Sequence, residues 1–300
     1  MKNWTDQLPL YGCLIGIELP DSGFEVTPGV SLRSVFVDMF GTSLLAFAPP
    51  PTPKAPHPGP WVPINGGYTF KSRVQVSITD VSSFDGLSPS AVAWLVAAIL
   101  RLQLSSPVRM AVLAAMPFDK KEVTHEPWPM TFESATHQVG PYRTPSTVAS
   151  EEDLLWLRTA LPVTSRLYHE ERFFRAFSVY DQAQWSPTLE IGTVLVWTAI
   201  EALFDLGGER EKTKAICRAL ADYVSDGPSD RDRAFQVIRD MYGKRGSVVH
   251  HGARVAPEDA IQSYRLAKVA FRRCIIDGKL PPSPQAAVGH STKPSSDNAP

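Results

Sequence analysis

From residue 150 to residue 278 the apolar side chains recur every three or four positions, in stretches separated by short polar or glycine-containing breaks. That period belongs to helices with one buried face. Ser150-Glu151-Glu152-Asp153 sets a cap and three acids at the positive end of a first helix dipole. A second helix is expected over residues 166–183. A third follows Ser186-Pro187 and runs through Leu189 to Phe204, stopping before Gly207-Gly208. A fourth covers residues 212–224. A fifth starts near Asp230 and carries Phe235, Ile238 and Met241. A sixth opens at Ala256-Pro257-Glu258-Asp259 and closes at Gly278. Short links between amphipathic helices make an antiparallel bundle.

The first half has another character. Residues 11–19 and 32–39 are β-branched and aromatic runs. In residues 68–78, Phe70, Val74, Val76 and Ile78 alternate with Lys71, Arg73, Gln75 and Ser77, the period of a half-buried strand. Pro89, capped by Ser88, opens a helix to about Leu104, and residues 108–116 read as a buried strand. Strands with one long helix predict an α+β domain over residues 1–149, its role unknown. Residues 48–63 hold Pro49, Pro50, Pro51, Pro53, Pro56, Pro58, Pro60 and Pro63, which predicts a surface loop. Residues 117–145 read as irregular. The helical domain spans residues 150–280, and the Pro- and Ser-rich tail 281–300 is expected to be disordered.

Composition narrows the function classes. The formal net charge is −1, so contact with a polyanion must come from a local patch. Cys13, Cys217 and Cys274 are too few and too scattered for a disulfide framework, which suits a reducing cytoplasm. The most apolar run, residues 91–100, is about half a membrane span. His125, Glu126 and His137 lack the spacing of a metal site, so no metal and no cofactor are expected. Neither Gly66-Gly67 nor Gly207-Gly208 carries the lysine of a phosphate-cradling loop.

The segment Met241-Tyr242-Gly243-Lys244-Arg245-Gly246-Ser247-Val248-Val249-His250-His251-Gly252 carries the chemistry. Arginine stays charged and forks two donors at phosphate oxygens, while histidine exchanges protons near neutral pH. RNA can be cut by its own 2′-hydroxyl, which needs a base and a cation beside the phosphate. In an ideal helix, positions five apart point about 140° away from each other. Gly243 and Gly246 are expected to loosen the helix so that Arg245 and His250 converge. Arg231, Arg233, Arg239, Lys244 and Arg254 surround the motif, and Arg265, Lys268, Arg272 and Arg273 follow on the next helix.

This segment resembles the Arg-x4-His motif of HEPN domains, above all the Apea-like branch, which has a tyrosine before the arginine and a glycine after the histidine. Here these are Tyr242 and Gly252. The stretch Val194-Leu195-Val196-Trp197-Thr198-Ala199-Ile200-Glu201-Ala202-Leu203-Phe204 resembles the family's acid-bearing helix, with Glu201 at the acidic position. The likeness covers residues 150–278. It departs at Gly246, where many active members carry a polar residue. The resemblance implies a metal-independent RNA endonuclease used in defence or stress, working as a symmetric homodimer with two motifs facing one cleft. His250 is then the general acid/base and Arg245 the phosphate clamp. Glu201, Tyr242, Lys244, Ser247, His251 and Arg254 support the site or touch RNA. The resemblance says nothing about the first domain; a trigger or partner for it is an expectation that no residue in it carries. The rival is a non-catalytic HEPN module for RNA or nucleotide binding, or for dimerisation. Each supporting residue also has a structural reading: Glu201 as a seam salt bridge, Tyr242 as a packing ring, Ser247 as a helix-turn hydroxyl, His251 as a surface group.

Overall fold

The structure is a computed structural model that describes residues 3–39, 43–47, 52–56, 62–66, 70–104, 106–119, 129–132, 146–205 and 212–282. The strands are β1 (Leu10–Ile15), β2 (Ile17–Glu18), β3 (Gly23–Thr27), β4 (Val30–Met39), β5 (Ser43–Phe47), β6 (Val62–Gly66), β7 (Phe70–Ile78), β8 (Arg109–Ala114), β9 (Met130–Phe132) and β10 (Thr147–Val148). The helices are α1 (Pro89–Gln103), α2 (Glu151–Leu167), α3 (Glu171–Ala183), α4 (Leu189–Phe204), α5 (Lys212–Val224), α6 (Pro228–His251) and α7 (Pro257–Asp277). An antiparallel six-stranded sheet, in the order β3-β4-β7-β1-β8-β9, thus precedes a run of helices.

The capping chemistry reads out as expected at two starts. Ser88 Oγ accepts the Ala91 N–H, with Pro89 in the first turn of α1. At α2, Ser150 Oγ accepts the Asp153 N–H at 3.2 Å while Asp153 Oδ2 accepts the Ser150 N–H at 2.9 Å. Asp153 also takes a hydrogen bond from Gln103 at the end of α1. Burial alone would raise this carboxyl, but the bonds from Gln103 and Ser150 outweigh it and hold it below the ordinary aspartate range. A depressed folded pKa stabilises the protein above the ordinary value near 4, and that contribution is lost as pH falls through the folded value. Asp153→Asn should therefore lower the urea midpoint at pH 7 more than at pH 3. Equal losses at both pH values would contradict this role.

Two boundaries differ from expectation. The second helix starts at Glu171 rather than 166, because α2 continues through Pro162 to Leu167 before a turn at residues 168–170. Pro63 lies inside β6, opposite Ala46 in a hairpin whose described partners are only β5 and β6. An edge strand tolerates proline because the missing N–H faces no neighbour. Thr52 and Ala55 exchange backbone hydrogen bonds across Pro53-Lys54, so the centre of the proline run is a tight turn. The remainder of that run, most of residues 117–145 with His125, Glu126 and His137, and residues 283–300 lie outside the described residues.

The core does not stop at residue 149. One cluster of buried side chains takes in Leu14, Val74, Val76 and Ile78 from the sheet and Val92, Leu95 and Ile99 from α1. It continues through Leu157, Leu161, Phe173, Phe177, Trp197 and Phe271 of the later helices. The outer edge of β3 is covered from the same side. Arg158 of α2 donates to the Glu25 carbonyl at 3.2 and 2.7 Å and lies over the Phe24 ring. An exposed strand edge invites pairing with other chains, and this contact blunts it. Among the described residues, no helix is long and apolar enough to cross a membrane.

Candidate functional site

α4 is apolar around most of its circumference and sinks Trp197 completely. The indole N–H donates to Ser263 Oγ on α7 at 3.2 Å, which satisfies the one polar atom that burial would otherwise strand. Tyr242 of α6 meets this indole edge-on, with ring centroids 5.3 Å apart. Its hydroxyl donates to Glu201 Oε1 at 2.8 Å. Burial, with the hydrogen bond to the Glu201 carboxylate, pushes the phenol up to about 12.

The same Glu201 oxygen takes Arg245 Nη2 at 3.2 Å. The guanidinium carbon is 5.4 Å from the Tyr242 ring centroid. Arg245 is 18% exposed and Glu201 35%, so the pair is partly screened and belongs to the seam between α4 and α6. Arg245 Nε is buried and has no hydrogen-bond partner among the described residues. Glu201, Tyr242 and Arg245 are therefore one cluster standing on Trp197.

His250 is not in that cluster. It lies exposed in the last turn of α6, its ring centroid 6.4 Å from that of the exposed His251. α6 runs unbroken for 24 residues through Gly243 and Gly246, so the expected loosening does not occur. Each glycine costs a helix only about 1 kcal/mol, and turns on both sides propagate through it. Arg245 and His250 consequently point about 140° apart on one regular helix. Gly252 ends it with φ 63°, the left-handed geometry of a helix C-terminus.

The other named residues divide. Lys244 is held by Asp259 at 2.9 Å and Asp240 at 3.1 Å. Ser247 Oγ bonds back to the Gly243 carbonyl at 3.3 Å. Arg254 is exposed beyond the Gly252 cap, within electrostatic reach of Glu190. The cationic rim is thinner than the sequence count. Arg273 reaches Asp226 and Asp277, while Lys268 and Arg272 turn to Gln103 and Trp156 at the junction with α1 and α2. Arg231, Arg233, Arg239 and Arg265 remain exposed with no ion pair to a described residue. The three cysteines are free and buried. Among the described residues no cluster of His, Cys, Asp or Glu is arranged to hold a metal ion.

Comparison with protein-family models, with curated proteins and with solved structures finds no match to this chain.

Proposed function

We propose that this chain is a metal-independent ribonuclease of the HEPN type, with His250 as general acid/base and Arg245 as the cation that meets the phosphate. One observation carries the reading. Arg245 is held by Glu201 at the α4–α6 seam, 18% exposed, five positions before an exposed histidine on the same helix. A pre-positioned guanidinium loses little on binding phosphate, and an exposed imidazole can take a proton from a 2′-hydroxyl and return one to the leaving oxygen. Because one protomer holds the two groups on different faces of α6, the active unit in this reading is a homodimer. His250 of one copy would work with Arg245 of the other across a shared cleft. The sheet-containing half would then sense the trigger or partner that releases activity, in defence or stress within the cytoplasm.

The divergence of Arg245 and His250 also favours a second reading, a non-catalytic module that binds RNA or nucleotide or dimerises, with Arg245 kept for the ion pair to Glu201. The two separate in one experiment. Purified wild type and His250→Ala are incubated with RNA in excess chelator, and product ends are mapped. Cleavage by the wild type to 2′,3′-cyclic phosphate ends, slowed about 10²-fold in the variant, is expected for the loss of a general acid/base. Cutting by His250→Ala at the wild-type rate removes His250 from the mechanism.

A further inference from the structure

The unbroken course of α6 gives His250 a different neighbour from the one its sequence spacing suggests. At 100° per residue, Arg239, Gly243, Gly246 and His250 fall within a sector of about 60° on one side of the helix. Arg239 and His250 are separated along that side by about 16 Å, three turns. Between them no described residue covers the two glycines. Gly243 is exposed and Gly246 half-buried, and no atom of a described residue outside the helix lies within 4 Å of where a Cβ would stand on either. Arg239 is exposed and makes no ion pair with a described residue. Arg231 and Arg233 are also exposed and without an ion pair to a described residue, but they lie about 60° and 80° outside this sector. Lys244 is paired with Asp240 and Asp259, and Arg245, held by Glu201, lies on another side of the helix. The acids nearest Arg239 on the helix are both engaged: Asp240, the next residue, by Lys244 at 3.1 Å, and Asp232, two turns before, by Arg218 at 3.0 Å.

We infer that this face of α6 is a binding track for the sugar-phosphate backbone of single-stranded RNA, with Arg239 holding a phosphate a few nucleotides from the one at His250. The glycines let the backbone approach the helix surface. The inference rests on the ribonuclease reading for the identity of the polyanion. It assigns Arg239 as a binding residue that does not touch the scissile phosphate.

Two variants test it. Arg239→Gln removes the charge at an exposed position. Gly246→Gln fills the surface that no described residue covers, with a better helix former, so the fold is kept. Binding is read by fluorescence anisotropy on a labelled, 2′-O-methylated oligoribonucleotide that cannot be cut, from low to moderate salt. Arg239→Gln should bind about fivefold more weakly, with the salt slope reduced by about 0.7, one phosphate contact on a single strand. Gly246→Gln should bind more weakly while its thermal midpoint holds or rises. Binding by both variants equal to wild type, or no salt-dependent binding by wild type at all, overturns the track; the latter would leave the face to a protein partner. If the wild type binds and both variants weaken but no protein cuts RNA, the nuclease reading falls and the track stands.

Discussion

Arg101→Met should unfold at much lower urea than the wild type, with a loss of about 3–5 kcal/mol, the range for stripping one partner from a buried ion pair. Arg101 of α1 and Asp181 of α3 are each 3% exposed. Arg101 Nε donates to Oδ1 and Nη2 to Oδ2 of Asp181, both at 2.8 Å, and Nη1 donates to the Val108 carbonyl. Trp94 adds an indole N–H to Oδ2 at 3.1 Å. Removing the guanidinium leaves a carboxylate in the core with one donor where it had three, and leaves the Val108 carbonyl unpaired. Much of the loss is that stranded charge rather than the worth of the pair, so Arg101→Met combined with Asp181→Leu should recover most of it. A single variant within about 1 kcal/mol of wild type would show that water reaches the site. The pair also joins the sheet-bearing half to the helical half. Circular dichroism and tryptophan fluorescence should therefore report one coincident transition; two separated transitions would mean that the halves unfold independently despite their shared core.

The sequence spoke most clearly where chemistry is local. Ser88-Pro89 and Ser150 with Asp153 each satisfy backbone groups within one turn, so three or four letters suffice to place a helix start. Alternation located β7 but misjudged its second face. Gln75 is buried, its side chain bonded to Ser77 and the Phe118 N–H, because the chain after β8 folds back over that side of the sheet. The Arg101–Asp181 pair was illegible, since its members are eighty positions apart and each looks like an ordinary charge on an amphipathic helix. At the candidate site the Arg-x4-His spacing and Glu201 were visible, and so was the alternative that the helix must give way at its glycines. Whether it does depends on the stability of the flanking turns, which glycine count alone does not reveal. Arg239 stood in the sequence as one cation among many. Its eleven-residue distance from His250, three turns and one face, is the signal that separates it from the rest.

Arg245→Lys should lower RNA cleavage by about 10²–10³-fold, the usual effect of removing one transition-state donor, while changing stability little. Lysine keeps a positive charge beside Glu201, so the half-buried carboxylate retains a partner and Tyr242 keeps its acceptor. What lysine lacks is the planar fork of donors. If that fork meets a phosphate oxygen, its loss acts on the transition state and leaves KM nearly unchanged while kcat falls. If Arg245 only stabilises the bundle, the two sides reverse: cleavage by Arg245→Lys stays near the wild-type rate, and the larger harm comes from Glu201→Leu. That second change removes the acceptor shared by Tyr242 and Arg245 and strands a cation at 18% exposure, a cost of about 1–3 kcal/mol in either reading. Measuring kcat and urea midpoints for both variants therefore separates a clamp from a strut. A fall in cleavage without a fall in stability assigns Arg245 to the phosphate, whereas a loss confined to stability assigns it to Glu201.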